Sequence, residues 1–190
     1  RHRNEPFFLY VPFNAPHGPL TAPTEYMDKY PNIENPHRRT YAAMVDAIDC
    51  NVGLVLDQLR SNDIEDNTLI LFLSDHGGVF GEKHDWSDNG PLRAGKGTLF
   101  EGGLRTPLFA QWKAGLPEGT TFEHPVATID LLPTAFAAAG GEIADDGELD
   151  GVDLLPYLRG ENQTAPHETL YWRMNEMWAI RKGDWKVYKD

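Results

Sequence analysis

Cysteine is nearly absent: one residue of 190, Cys50, carries a thiol. No disulfide can close within the chain, which excludes the disulfide frameworks of small secreted modules and leaves the redox compartment open. Uninterrupted apolar runs are also missing at the length of roughly 18 residues that a membrane-spanning helix requires. Basic residues are few beside acidic ones, 17 against 29, for a net charge of −12. That balance argues against a nucleic-acid binder, which carries a basic face. It also argues against long-range attraction of an anionic substrate. Any affinity for an anion must therefore be local, and the stretch from Pro91 to Pro107 reverses the overall sign, with Arg93, Lys96 and Arg105 set against Glu101. The chain shows no internal repeat or low-complexity stretch, and at 41% hydrophobic it can bury a core of single-domain size.

The hydrophobic pattern predicts alternating strands and helices. Phe7 to Phe13 reads as a buried strand, after which Pro16, Pro19, Pro23, Pro31 and Pro36 forbid long regular structure. From Arg39 to Leu59, apolar residues at Tyr41, Met44, Val45, Ile48, Val52, Val55, Leu56 and Leu59 recur in steps of three and four, the mark of one helical face. Cys50 lies among or beside these positions and reads as a small buried hydrophobe. Ser61-Asn62-Asp63 ends the helix, Thr68 to Ser74 is the next strand, and Leu108 to Trp112 a third. Thr128 to Ala139 is expected to be a helix with Pro133 in its first turn and Gly140-Gly141 as its stop. Gly147 to Gly160 should be a loop with a short helix. Leu170–Met174, Trp178–Arg181 and Trp185–Tyr188 read as strands, the last two joined by a hairpin turn at Gly183-Asp184.

The densest chemistry follows the second strand. Thr68 to Leu73 is an apolar run that passes through Ser74 into Asp75-His76-Gly77-Gly78. Such a run reads as a strand buried on both faces, and ligands in open α/β sheets bind at the carboxyl ends of strands. A carboxylate and an imidazole placed there make a plausible metal corner. Lys96 comes 21 residues after Asp75, in the glycine-rich run from Ala94 to Gly103, which suggests a site for an oxyanion. Ser87-Asp88-Asn89-Gly90 repeats the look of the corner but follows no buried strand, and it reads as a turn.

Three segments carry a resemblance to sulfatases of the arylsulfatase type, in the alkaline-phosphatase superfamily: Ser74-Asp75-His76-Gly77, Pro91 to Thr98, and Glu101 to Pro107. Phe13 to Leu20 resembles that family's substrate-histidine loop, and Asp130-Leu131-Leu132-Pro133-Thr134 and Asp150 to Pro156 resemble later landmarks. The resemblance spans nearly the whole chain and implies an α/β fold. Part of a mixed, mainly parallel sheet flanked by helices would occupy residues 1–140. The start of a small antiparallel carboxyl-terminal subdomain would occupy 141–190 and be truncated at Asp190.

The resemblance further implies a sulfuric-ester hydrolase in which Asp75 and His76 hold a divalent metal. That metal would be Ca²⁺ by family habit, with Mg²⁺, Mn²⁺ or Zn²⁺ open because His76 stands where many sulfatases carry Asn. Lys96 would clamp the sulfate and His17 assist the leaving-group oxygen, both touching substrate. Arg93, His84 and Trp86 are further candidates for substrate contact, and Glu101 and Arg105, at i and i+4, for a structural ion pair. Sulfatases build a formylglycine nucleophile from the Cys of a Cys-x-Pro-Ser-Arg motif, and no Pro-Ser-Arg follows Cys50. The expectation is thus a carboxyl-terminal part holding half of the site, inactive in isolation, with the formylglycine in the other half. A phosphonate or phosphodiester hydrolase of the same superfamily is the alternative that His76 allows. A non-catalytic remnant that binds anions or self-associates through an exposed sheet edge is another. The substrate would be a small-molecule or carbohydrate sulfate ester, and family habit implies an extracytoplasmic protein.

Overall fold

A computed structural model describes residues 5–143 and 149–189. It divides into two compact units, residues 1–64 with 73–107 and residues 65–72 with 108–190.

The first unit is organised on one long helix. A single turn, α1 (Thr24–Met27), precedes α2 (Pro36–Ser61). The start of α2 is fixed by Asn35, whose side chain accepts from the Arg38 N–H at 3.0 Å, and by Pro36, whose missing N–H costs nothing in a first turn. Its end is turned by Asp63, which takes the left-handed conformation (φ 57°) open to a short polar side chain. Lys29 ties the segment after α1 to α2 through Asp46, at 2.9 Å. Ala43 and Met44 are buried, whereas Val45 and Val55 of the apolar stripe are exposed. The helix α3 (Glu101–Leu104) closes the glycine-rich run.

The expected strand at Phe7 to Phe13 does not form. That segment is extended and exposed, with Phe8 at 83% and Tyr10 at 77% of full exposure. Among the described residues no strand lies beside it to complete a ladder, and β structure requires one.

The second unit contains both sheets. One is two-stranded, β1 (Ile70–Leu73) with β2 (Leu108–Gln111), of which only Leu73 belongs to the first unit. Nearby, the buried Glu65 accepts from Lys113 at 2.5 Å and from Gln111 at 3.3 Å. The helix expected from Thr128 opens as a 3₁₀ turn (Thr128–Asp130) and continues as α4 (Leu131–Ala138). Pro133 lies in the first turn of α4, where no intrahelical donor is needed, and Gly140 (φ 81°) stops it. The short helix α5 (Leu155–Leu158) follows, and residues 147–148 of the loop expected before it lie outside the described residues. The other sheet, β3 (Thr169–Met174), β4 (Met177–Lys182) and β5 (Trp185–Lys189), is an antiparallel meander. Two-residue turns at Asn175-Glu176 and Gly183-Asp184 set its register, and both first residues have positive φ as tight hairpins require.

Asp130 is the polar centre of this unit. Fully buried, it accepts from the Ala127 N–H (2.7 Å), the Val152 N–H (2.9 Å) and His167 Nε2 (2.8 and 2.9 Å). Thr134 donates to the Asp130 carbonyl and accepts from the Leu154 N–H. A buried carboxylate is tolerable when its oxygens are satisfied in this way. No described helix is long and apolar enough to cross a membrane.

Candidate active site

Every sequence-predicted site residue lies in the first unit. Beyond Leu73 the chain turns at Ser74, whose N–H donates to Pro107 O (3.2 Å) and whose hydroxyl donates to His76 O (2.8 Å). Asp75 Oδ1 accepts from the His76 N–H at 3.0 Å, which leaves Oδ2 pointing at His76 Nε2, 3.2 Å away. The other ring nitrogen, Nδ1, lies 2.9 Å from Gly77 O. A carbonyl can only accept, so Nδ1 carries the hydrogen, and Nε2 is the ring nitrogen turned to Asp75. Two acceptors facing at that distance need a proton or a cation between them. Adjacent ligands of one cation, each about 2.0–2.6 Å from it, stand about this far apart. The ring of a metal-bound histidine is commonly fixed by a donation such as Nδ1–H to a carbonyl. Asp75 and His76 thus fit two positions of a metal site. Among the described residues no group of three or more His, Cys, Asp and Glu forms a larger set.

The corner packs directly on the lysine loop, and glycine makes the approach possible. The Gly77 N–H donates to Gly103 O (3.2 Å), and a Cβ on Gly77 would fall 1.6 Å from Gly102 O. A Cβ on Gly95 would fall 2.2 Å from Gly78 O. With no side chain at either place, the Lys96 N–H reaches Gly78 O at 3.0 Å. Lys96 itself is half-buried. Gly102 N–H donates to Arg93 O (2.8 Å), folding the loop back on itself. Ala94 sits between them in the left-handed region (φ 59°), a strained backbone for alanine.

The remaining candidates divide. Arg93 stacks its guanidinium over the Phe100 ring at 3.9 Å, at the edge of the lysine loop. His84 lines an open hollow of about 360 Å³ together with Phe80, Asp85, Asn89 and Leu92. Trp86 is not among the residues lining that hollow. Its ring meets those of His37 (5.4 Å) and His84 (4.8 Å), and its carbonyl accepts from Arg38. With Asn35 donating to Asp85 (2.6 Å), this braces the 84–86 segment on the start of α2. His17 bonds within its own loop, Nδ1 with Gly18 O and its N–H to Asn14 O. No bond among the described residues ties it to Asp75 or Lys96. Glu101 and Arg105 are joined through the backbone, the Arg105 N–H donating to Glu101 O at 2.8 Å.

Sequence reasoning missed the part played by Asn89. The turn expected over Ser87 to Gly90 falls two residues later, where Leu92 N–H donates to Asn89 O, while Gly90 N–H is held by Asp88 Oδ1. The Asn89 side chain, however, reaches both halves of the site. Oδ1 accepts from the Gly78 N–H (2.8 Å), and Nδ2 donates to Gly78 O and to Ala94 O (3.0 Å each).

The sulfatase family model matches residues 1–141, the greater part of the chain. The chain belongs to the sulfatase family. It is 38% identical over 171 residues to the uncharacterized sulfatase YdeN of Escherichia coli (strain K12), covering 89% of this chain and 30% of that protein. It is 33% identical over 188 residues to the N-acetylgalactosamine-6-sulfatase of Mus musculus, covering 98% of this chain and 35% of that protein. The structure of Ps i-CgsB solved in complex with k-i-k-neocarrahexaose superposes with a TM-score of 0.89 at 41% identity, over 98% of this chain and 42% of that one. This sulfatase chain therefore spans about a third of the length of the curated relatives it matches.

Proposed function

We propose that the full protein carrying this chain is a sulfuric-ester hydrolase acting on a sulfated carbohydrate, and that these residues form the sulfate-binding part of its site. The observation that carries the reading is the bond from the Lys96 N–H to Gly78 O. It ties the lysine loop directly to the Asp75–His76 corner. Family membership supports the reaction class. A carbohydrate substrate is supported by the neocarrahexaose bound to Ps i-CgsB and by the N-acetylgalactosamine named in the mouse relative.

Lys96 places a positive charge where the sulfuryl oxygens and the departing oxygen gain negative charge, and neutralising that charge lowers the barrier. His17 donates a proton to the leaving oxygen as a general acid. Asp75 Oδ2 and His76 Nε2 would hold a divalent cation, which when bound would supply Lewis-acid polarisation of the sulfate oxygens. A carboxylate with an imidazole suits Mn²⁺ or Zn²⁺ as well as Ca²⁺. The nucleophile is a formylglycine carried outside these residues, so the isolated chain binds but does not turn over. Arg93 and His84 contact the sugar around the sulfate, with Trp86 bracing His84. The whole enzyme works outside the cytoplasm.

Parallel assays of the full enzyme on a sulfated oligosaccharide and on a phosphate diester test this. Inorganic sulfate released with the higher kcat/KM is the expected result. Preference for the diester would replace the reading with a phosphodiester hydrolase of the same fold.

A further inference from the structure

We infer that Asn89 is a positioning residue, whose carboxamide locks Lys96 at a fixed distance from the Asp75–His76 corner. The inference rests on the function proposed above. Asn89 is the side chain that bonds to both loops of the site: Gly78 is three residues beyond Asp75, and Ala94 is two before Lys96. The orientation of its amide is unambiguous. One terminal atom faces an N–H and the other faces two carbonyls, so oxygen and nitrogen can be assigned in one way only.

The geometry converges on one point. Gly78 O accepts from both Asn89 Nδ2 and the Lys96 N–H, each at 3.0 Å, so the clamp and the lysine share an acceptor. Gly95, between Ala94 and Lys96, has no room for a side chain because Gly78 O and Asn89 Nδ2 would lie 2.2 and 2.5 Å from its Cβ. The segment is held from a second place as well, by Ser87, whose hydroxyl donates to Val79 O. A displacement of about 1 Å at a charged group that acts on a transition state is costly, on the order of a hundredfold. Loss of an outer partner of a site typically costs about 10- to 100-fold.

Asn89→Asp is nearly isosteric and still accepts from the Gly78 N–H, but it sets an acceptor against two carbonyl oxygens. Asn89→Ala removes all three bonds. In the full enzyme, each is expected to lower kcat/KM for a sulfate ester by about 10- to 100-fold with Tm within a few degrees of wild type. The separating experiment is a double-mutant cycle. With Lys96→Ala as background there is no ammonium to misplace, and Asn89→Ala should then cost less than about threefold. An equal loss in both backgrounds, or no loss in either, overturns the inference. Amide hydrogen exchange gives a readout independent of turnover. Gly78 and Lys96 should lose protection in Asn89→Ala while Leu154 and Ile180 keep theirs, and unchanged protection at Gly78 and Lys96 overturns it. Should Asn89→Ala fail to fold, the same cycle and exchange are read on Asn89→Asp. A wild-type enzyme without sulfatase activity would sink the proposed function, and the exchange experiment would still decide the clamp.

Discussion

His76 Nε2 lies 3.2 Å from Asp75 Oδ2, with the opposite ring nitrogen committed to Gly77 O. The relationship brings two polar atoms of neighbouring residues to the spacing that one proposed cation would require. It also sets the first prediction: if His76 is a ligand as proposed, His76→Asn replaces its nitrogen by an amide oxygen, which suits harder cations. In the full enzyme the variant should retain less Mn²⁺ or Zn²⁺ and favour Ca²⁺, as read by elemental analysis after dialysis against mixed metals. An unchanged metal profile would remove His76 from the ligand set.

Gly77→Ala tests the packing of the corner on the lysine loop. The added Cβ would sit 1.6 Å from Gly102 O, a backbone atom that cannot swing away. Overpacking of this kind costs about 1–3 kcal/mol and occasionally more, or roughly 2–4 °C in Tm for each kcal/mol in a chain of this size. Gly18→Ala, where nothing lies within 4 Å of the added atom, is the control and should leave Tm unchanged. Equal melting of the two variants would contradict the close approach.

His167→Ala removes one of the partners of the buried Asp130 carboxylate and leaves the Ala127 and Val152 N–H groups in place. Partial loss of satisfaction at a buried charge costs about 1–3 kcal/mol, and chemical denaturation should show it as a lower midpoint. Wild-type stability in this variant would mean that the pair contributes nothing net.

The Lys29–Asp46 contact makes stability depend on pH in a defined direction. The bond from Lys29 holds the Asp46 carboxyl below its ordinary range, and the same bond raises the Lys29 ammonium above its own. A depressed carboxyl stabilises the fold above its unfolded value, near 4, and the contribution is lost as pH falls through the folded value. A raised ammonium stabilises below its unfolded value, near 10.5, and the contribution is lost as pH rises past it. The contact is therefore at full strength from about pH 5 to 9. Asp46→Asn should flatten the acid limb of the stability curve, measured by urea unfolding between pH 3 and 6. An acid limb as steep as wild type would show that other carboxyls govern it.

Much of this was legible in the sequence. The three- and four-residue spacing from Tyr41 to Leu59 marked α2, which the structure extends to Pro36 and Ser61 because Asn35 and Pro36 cap it. Two-residue turn chemistry at Gly183-Asp184 marked the last hairpin. Phe7 to Phe13 was misread because composition reports the propensity for a strand, while a strand exists only where another backbone pairs with it. The resemblance drew Asp75, His76 and Lys96 into one candidate site, and the structure joins their loops through the Lys96 N–H and Gly78 O. Asn89 and His167 were not, because each acts through partners distant in sequence, Gly78 for one and Asp130 for the other. Ser87-Asp88-Asn89-Gly90 satisfies the rules for a turn, and those rules do not say where the amide points.

The most direct test of the account is kcat/KM for a sulfated oligosaccharide in the full enzyme and its Lys96→Ala variant, read by inorganic sulfate release. Loss of about a hundredfold or more, the scale set by removing a charge-stabilising group, with Tm unchanged is the predicted result. A variant that hydrolyses the sulfate ester within threefold of wild type would contradict the assignment of this loop as the sulfate clamp.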